Sequence, residues 1–137
     1  MALHKGGPAL AKQFETFLNS LLPGVIKFES SYDKFTMNFL DINMTYNQET
    51  KRIETDVHIK PTNIQLFLDW FSNHPYHCKK SIIYRQALRV IMICSTPDKK
   101  EAQLRNLRDK FIAVNYPEDV IKKQFEKAQK RGEETFC

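Results

Sequence analysis

Glycine and cysteine are scarce in this 137-residue sequence. Only four glycines are present, and none belongs to a glycine-rich loop of the kind that cradles phosphates in nucleotide-binding folds. The cysteines, Cys78, Cys94 and Cys137, are odd in number and lack paired spacing. We therefore expect no disulfide framework. Reduced cysteines predict an intracellular protein, with the nucleus as one candidate compartment.

Long apolar runs are also missing. No segment approaches the roughly 20 apolar residues of a membrane-spanning helix, and residues 1–7 contain no apolar run typical of a signal peptide. We therefore expect no membrane partner. With 42% hydrophobic and 27% charged residues, the composition is that of a globular protein long enough to bury a core.

Acidic residues are absent between Asp69 and Asp98. The charge is unevenly divided, because residues 1–60 hold seven Lys/Arg and seven Asp/Glu, whereas residues 61–137 hold fourteen and nine. The net charge of +5 therefore arises in the second part. This favours an anionic partner, nucleic acid before membrane, and a solvated basic surface without a partner is the alternative.

The first part of the chain, residues 1–60, predicts one helix and a small sheet. Apolar residues recur at helical spacing between Pro8 and Pro23, which predicts a helix over about residues 8–22. We expect its apolar face to pack on a three-stranded antiparallel sheet.

Three strand segments follow this helix. The third alternates apolar and polar residues, as in a half-buried antiparallel strand, and Asn47 to Thr50 ahead of it suits a hairpin turn. In the second, the alternation changes phase at Phe39-Leu40, which indicates a bulge or a bend. The predicted strands are residues 25–30, 35–46 and 52–60.

The second part, residues 61–137, predicts a bundle of three or four helices. Asn63 suits the N-cap of a short helix that ends at Phe71, although a stretch this aromatic could equally be extended and buried. Ser81 suits the N-cap of a helix over about residues 82–94. The apolar face of that helix is Ile83, Ala87, Val90, Ile91 and Cys94.

Two further helices are expected after it. Thr96-Pro97-Asp98 combines a cap residue, a proline for the first helical position and an acid near the positive end of a helix. Asn115-Tyr116-Pro117 turns the chain again, and Gly132 is expected to end the last helix. The fold class is therefore α+β, with a helix and sheet followed by a helical bundle.

No catalytic motif is present. Asp41 has no neighbouring acid with which to form a two-metal site, and Ser81 lacks the glycine-rich elbow of a nucleophile. His74, His77 and Cys78 are metal-capable, but no fourth ligand lies at a recognised zinc spacing. We therefore expect no metal, no cofactor and no small-molecule substrate.

The stretch without acidic residues, between Asp69 and Asp98, is a better candidate for a binding site. Arg85 and Arg89 stand four residues apart on one helix face, and Tyr76 and Tyr84 lie nearby. Such side chains suit contacts with backbone phosphates, and a solvated helix face is the alternative. The basic residues of the stretch are Lys79, Lys80, Arg85 and Arg89.

Several short motifs also occur in a fixed order along the chain. They are Phe39-Leu40-Asp41, Thr55-Asp56 with Lys60-Pro61-Thr62, Ser72-Asn73-His74-Pro75, Lys80-Ser81-Ile82, and Gln86 to Arg89 followed by Ile93-Cys94-Ser95. In order and spacing they resemble the C-terminal palm and thumb region of Penelope-like retroelement reverse transcriptases. The resemblance covers about residues 8–132.

The resemblance implies a fragment of an RNA-directed DNA polymerase. Phe39-Leu40-Asp41 would correspond to a hairpin that grips the primer end, and residues from about 61 onward to the thumb, a helical bundle also described as an animal helix-turn-helix domain. A thumb holds a template–primer duplex by its backbone. An RNA–DNA hybrid or DNA duplex would then contact Lys60, Lys79, Lys80, Arg85 and Arg89.

Several positions depart from the family's pattern. Its catalytic carboxylates would lie upstream of residue 1, so we expect this chain to be inert by itself, with the rest of the polymerase as a partner if the chain is cut from a longer one. The departures within the basic helix are Ile83 in place of proline, Arg85 in place of a small residue, and Ile91 and Met92 in place of two arginines.

Two other functions are consistent with the residues. One is a helix-turn-helix-like DNA-binding module. The other is a vestigial or protein-interaction domain, which Ile91 and Met92 support. Exposure of these two side chains beside Arg89 would favour the interaction domain, and their burial would leave the two nucleic-acid readings standing.

Overall fold

The expected α+β order is present in the computed structural model, which describes residues 7–60 and 66–136. An N-terminal helix precedes a three-stranded antiparallel sheet, and three helices follow. None of the described helices is long and apolar enough to cross a bilayer. The elements are α1 (Gly7–Leu21), β1 (Thr36–Phe39), β2 (Ile42–Asn47), β3 (Arg52–Val57), α2 (Tyr76–Ile93), α3 (Pro97–Ala113) and α4 (Glu118–Phe136).

Helix α1 forms where the sequence predicts it but leaves its apolar face uncovered. None of its residues, all of which lie in the described ranges, is buried. The predicted packing of this face on the sheet is therefore not observed. The apolar side chains Leu10, Phe14, Phe17 and Leu21 are between 49% and 58% exposed.

The prediction of a strand at residues 25–30 is wrong. This segment is exposed and lies outside the sheet, and side chains of α1 bind backbone groups at two of its residues. The Asn19 amide donates to the carbonyl of Phe28 at 2.9 Å and accepts from its N–H at 2.7 Å. The carboxylate of Glu15 likewise accepts from the N–H of Ser30 at 3.1 Å. The segment therefore runs back along α1.

The second predicted strand is in fact a hairpin made of β1 and β2. Phe39 pairs with Ile42 across a two-residue turn, and Leu40 in that turn has a left-handed φ of 53°. The phase change at Phe39-Leu40 therefore marks a reversal of the chain instead of a bulge. Tight hairpin turns usually contain glycine or asparagine, and this turn contains neither, so the sequence pattern did not predict it.

Strand β3 extends the sheet on the far side of β2. The predicted turn ahead of it is confirmed, and the Asn47 side chain accepts hydrogen bonds there from the N–H groups of Glu49 and Thr50. The strand ends at Val57 instead of residue 60. Val57 lies opposite Ile42, the first residue of β2, so the sheet offers no partner strand beyond that point.

The hydrophobic core lies in the helical part. Within the described ranges, every buried apolar residue except Val57 belongs to residues 83–128. The predicted apolar face of α2 is confirmed, since all five of its members are buried. The largest fully buried side chains are Phe111, Ile83 and Ile121.

Helix α2 begins at Tyr76, directly after Pro75, and not at about residue 82. Ser81 therefore lies within the helix and is not its N-cap. The predicted short helix before it is absent from residues 66–71, and Asn63 lies outside the described residues. Phe67 instead stacks on Phe111 with 4.4 Å between ring centroids, which agrees with the extended alternative.

Helix α4 continues past Gly132 to Phe136, so the predicted end at the glycine is wrong. Gly132 is buried where α4 approaches α2, and a Cβ atom on it would stand 2.5 Å from Cγ2 of Ile91. One turn earlier, Ala87 and Ala128 share a small cluster with Ile91. Because these contacts occur in the same order on both helices, α2 and α4 run in the same direction.

Candidate nucleic-acid interface

Strand β3 is joined by hydrogen bonds to the turn between α2 and α3. The N–H of Thr55 donates to Oγ of Ser95 at 2.9 Å, and the N–H of Ser95 donates to the carbonyl of Thr55 at 3.1 Å. The hydroxyl of Thr55 donates to the carbonyl of Ile93 at 2.5 Å. Two motifs of the resemblance, Thr55-Asp56 and Ile93-Cys94-Ser95, thus meet in space although they are distant in sequence.

Polar side chains on either side of this junction are also engaged. Lys99 pairs with Glu54 at 2.9 Å, and its hydrogen bond, together with that from Asn47, holds the pKa of the Glu54 carboxyl below its usual value. Burial, and then the hydrogen bond that the thiol donates to Asp56, raise the pKa of Cys94 to about 11. Cys94 is therefore a protonated structural thiol at neutral pH.

The five predicted phosphate contacts do not share one surface. Lys79 is buried, with 8% of its surface exposed, and its ammonium donates to the carbonyls of Trp70 and Ser72 at 2.5 and 2.6 Å. A phosphate contact does not fit this geometry, because the ammonium is already engaged inside the fold. Lys60 is exposed beyond the end of β3.

Arg89 lies between the helical bundle and the β1–β2 hairpin. Its guanidinium pairs with the carboxylate of Asp41 in the hairpin turn at 2.9 Å. Phe39 and Leu40 beside Asp41 are exposed. The predicted phosphate contact Arg89 and the predicted primer-gripping hairpin are thus brought together, and each charge neutralises the other.

Lys80 and Arg85 retain a geometry suited to phosphate. Arg85 is exposed, and Lys80 is half-buried with its ammonium 4.5 Å from the centroid of the Tyr76 ring. Neither forms an ion pair with an acidic residue in the described ranges. Together with the exposed Lys60, they are the members of the predicted set that remain available to a ligand.

Helix α4 contributes basic residues that the sequence prediction missed. Lys123, Lys127 and Lys130 are exposed at helical spacing, and none forms an ion pair with any described residue. The ammonium of Lys127 lies 5.5 Å from the centroid of the Tyr84 ring of α2, which joins the two helices at their surface. The recurrence of lysine at i, i+4 and i+7 could have predicted that these side chains share one face of the helix.

These side chains form what we call the α2–α4 face. Because Ala87 and Ala128 lie side by side, Arg85 stands at nearly the same height along α2 as Lys127 along α4. Tyr84 lies between the two helices at that height. The α2–α4 face consists of Lys80, Tyr84, Arg85, Lys123, Lys127 and Lys130.

The outer face of α3 differs in charge. Arg105 pairs with Glu101 at 2.7 Å, and Arg108 pairs with Glu118 of α4. Asp98 and Asp109 are also exposed on this helix. Two arginines of α3 are therefore neutralised by ion pairs, whereas α2 contains four basic residues and no acidic residue.

Comparison with known families gives a match for the helical part. Residues 66–126 match the animal helix-turn-helix domain family. The helical part is thus similar to a helix-turn-helix type domain. The matched residues include all of α2 and α3, their three-residue turn and the first half of α4. No curated protein and no solved structure matches the chain.

The helical part buries one of the two apolar residues at which the resemblance leads us to expect arginine. Ile91 is 7% exposed and packs against Gly132, whereas Met92 is 44% exposed. The burial of Ile91 leaves the nucleic-acid readings standing, and Met92 alone retains the exposure that would favour a protein-interaction domain.

The metal-capable side chains at the start of the domain are not gathered into a site. His74 and His77 are exposed and Cys78 is half-buried. In the described part of the chain, no group of three His, Cys, Asp or Glu side chains is placed to hold a metal ion.

Proposed function

We propose that this chain binds double-stranded nucleic acid through the α2–α4 face of its helix-turn-helix domain. The observation that carries the proposal is the exposure, on two neighbouring parallel helices, of basic side chains without ion-pair partners among the described residues. The absence of acidic residues between Asp69 and Asp98 adds to the positive potential of this face.

The contacts would be made mainly with the phosphate backbone. Lysine ammonium groups and an exposed arginine neutralise phosphates and release counterions, so affinity falls steeply with salt. If all five basic residues of the α2–α4 face touch phosphates, the slope of log K against log salt would be about −4.5. Binding would then weaken about 500-fold between 50 and 200 mM salt.

The test compares two triple variants that each remove three exposed lysines. Lys123, Lys127 and Lys130→Ala removes the α4 row, and Lys12, Lys34 and Lys51→Ala is the matched control outside the domain. Fluorescence anisotropy with a labelled DNA duplex would measure affinity across a salt series. We expect the first variant to bind at least tenfold more weakly and to lose about 2.7 from the salt slope, and the control to remain close to the parent protein.

Two results would contradict the proposal. Equal weakening by both triple variants would mean that net charge alone attracts the duplex. A folded parent protein that binds no duplex at low salt would leave the protein-interaction domain, with Met92 on its surface, as the remaining function.

The more specific form of the proposal is the thumb of a Penelope-like reverse transcriptase. Its support is the meeting of Thr55-Asp56 with Ile93-Cys94-Ser95, since that contact gives two separated pieces of the resemblance a common structural role. In this form the chain has no polymerase activity by itself, and it acts inside the cell. It would hold an RNA–DNA hybrid or a DNA duplex.

Sequence preference separates the two forms. A thumb reads only the backbone, so unrelated duplexes would compete equally, and an RNA–DNA hybrid would bind at least as tightly as DNA. A helix-turn-helix module that reads base edges would instead prefer one duplex sequence by a factor of 1000 or more. Selection from a random duplex pool, followed by competition with a hybrid, measures both.

A further inference from the structure

Two adjacent aromatic residues ahead of α2 point in opposite directions. Trp70 is turned inward, with its ring 5.1 Å from that of Tyr116. Phe71, the next residue, is 77% exposed. An aromatic ring this exposed, next to a well-packed core, is available to an outside partner.

The turn that carries Phe71 is fixed from two sides. Asp69 accepts a hydrogen bond from the N–H of Phe71 through its carboxylate at 2.8 Å, and from the N–H of Ser72 through its carbonyl at 3.1 Å. From the other side, the buried ammonium of Lys79 binds the carbonyls of Trp70 and Ser72. The outward position of Phe71 is therefore built into the fold, and this is the structural role of Lys79.

A second exposed aromatic ring lies beside this turn. Tyr76 is 54% exposed, and its ring meets that of Trp70 edge to face, with 5.3 Å between centroids. The ammonium of Lys80 lies over the Tyr76 ring at 4.5 Å. The exposed Phe71 therefore follows Trp70 in the chain, the exposed Tyr76 ring contacts Trp70, and a cation lies over the Tyr76 ring.

We propose that Phe71 and Tyr76 form a platform on which unpaired bases at the end of a bound duplex stack. Aromatic rings accept any base by its π-face, and adjacent cations hold the strand's phosphates. A duplex interior cannot use such rings because its bases are already stacked on each other. The ligand is therefore a single-stranded overhang.

The charge around the platform favours this ligand over an apolar protein segment. No acidic residue follows Asp69 until Asp98, and the Asp69 carboxylate is engaged by Phe71 and by the Asn115 side chain. Lys80 belongs both to the platform and to the α2–α4 face. The inference rests on the proposed function in that the duplex would lie along that face and end at the platform.

The test compares a blunt DNA duplex with the same duplex carrying a short single-stranded overhang. We expect the parent protein to bind the overhang duplex about tenfold more tightly, since stacking of one base has an effect of this order. The double variant Phe71→Leu and Tyr76→Leu keeps the apolar character but removes both π-faces, and should bind the two duplexes equally. Phe17→Leu, at a comparably exposed ring in α1, is the matched control and should keep the preference.

Two additional measurements sharpen this test. Phe71→Trp and Tyr76→Phe each retain a π-face and should retain the preference for the overhang. Trp70 is the only tryptophan of the chain, so its fluorescence should change on addition of the overhang strand and not on addition of the blunt duplex.

The results distinguish failure of the platform from failure of the duplex interface. Blunt-duplex binding without an overhang preference overturns the platform alone. Retention of the preference by the double leucine variant also overturns it, because apolar docking would then suffice. Binding of a single strand that depends on both rings, without blunt-duplex binding, overturns the α2–α4 interface and supports the platform.

Discussion

Helices α1 and α4 are amphipathic to nearly the same degree, yet they bury their apolar faces to very different extents. No residue of α1, which lies wholly in the described ranges, is buried, whereas Ile121 and Ala128 of α4 are almost fully inaccessible. A short turn places α4 beside α2, but the segment after α1 runs back along α1 itself. Amphipathicity therefore predicts that a helix has an apolar face. It does not predict whether another element of the chain packs on that face.

The same contrast indicates which part of the protein contributes most to its stability. The aromatic and aliphatic core of the helical part includes β3 through Val57 but nothing from α1. A substitution in the bundle should therefore destabilise the fold, and the same substitution in α1 should not. The predictions below test how far this contrast holds.

The largest expected effect is the difference between Phe111→Ala and Phe14→Ala. Phe111 is fully buried and packs against Phe67 and Tyr116, so its truncation should lower the free energy of unfolding by about 3–5 kcal/mol. Phe14 is 57% exposed, and its truncation should change the free energy of unfolding by less than about 0.5 kcal/mol. Urea unfolding followed by Trp70 fluorescence and circular dichroism measures both. Comparable losses would mean that α1 is covered in solution and that the contrast is wrong.

Gly132→Ala tests the contact between α2 and α4. The new Cβ would overlap Cγ2 of Ile91, a branched side chain that cannot rotate freely in a helix, so we expect a loss of about 1–3 kcal/mol in the free energy of unfolding. In an Ile91→Ala background the overlap is gone, and Gly132→Ala should then be neutral or slightly stabilising. A double-mutant cycle measures this coupling. Equal losses in both backgrounds would assign the cost to something other than the overlap.

Features determined by nearby residues were predicted well. The start of α3 at Pro97, the bounds of α1 and the buried face of α2 follow from caps, prolines and helical periodicity, which act within a few residues. The hairpin at Leu40 could not be predicted in this way, because its left-handed residue is a leucine, which is uncommon in that conformation. Its geometry depends on the pairing of β1 with β2.

The candidate site was predicted only in part, for a related reason. Charge and spacing located the basic stretch and gave Lys80 and Arg85, but they do not distinguish an exposed lysine from one that binds carbonyls, as Lys79 does. The α4 lysines had the required spacing, yet their importance depends on α4 lying beside α2. That arrangement is set by Gly132 and Ala128, far from the acid-free stretch in sequence.

A smaller effect, confined to alkaline pH, is expected at the junction of β3 with the bundle. The pKa of Cys94 is raised to about 11, so the folded state keeps the thiol proton after the unfolded chain has lost it. The free energy of unfolding should therefore fall as pH rises from about 9 to about 11. Cys94→Ala should remove this component of the decline, and Cys78→Ala should not. Parallel pH profiles of the Cys94 variant and the parent protein would contradict the prediction.

The smallest expected effect concerns the pair of Asp41 with Arg89, one of the ion pairs that join the two parts of the molecule. Asp41→Asn should leave stability within about 1 kcal/mol, because the pair is partly exposed. It also frees the Arg89 guanidinium beside the α2–α4 face, so duplex affinity at low salt should rise about two- to threefold through one added phosphate contact. The gain should vanish when Arg89→Ala is added.

Glu49→Gln, which removes an exposed acid from the other hairpin turn, is the matched control. An equal gain in affinity for that variant would show that only net charge matters. A loss of affinity in Asp41→Asn would mean instead that the hairpin holds Arg89 in its binding position, and that the N-terminal part takes a direct part in building the interface.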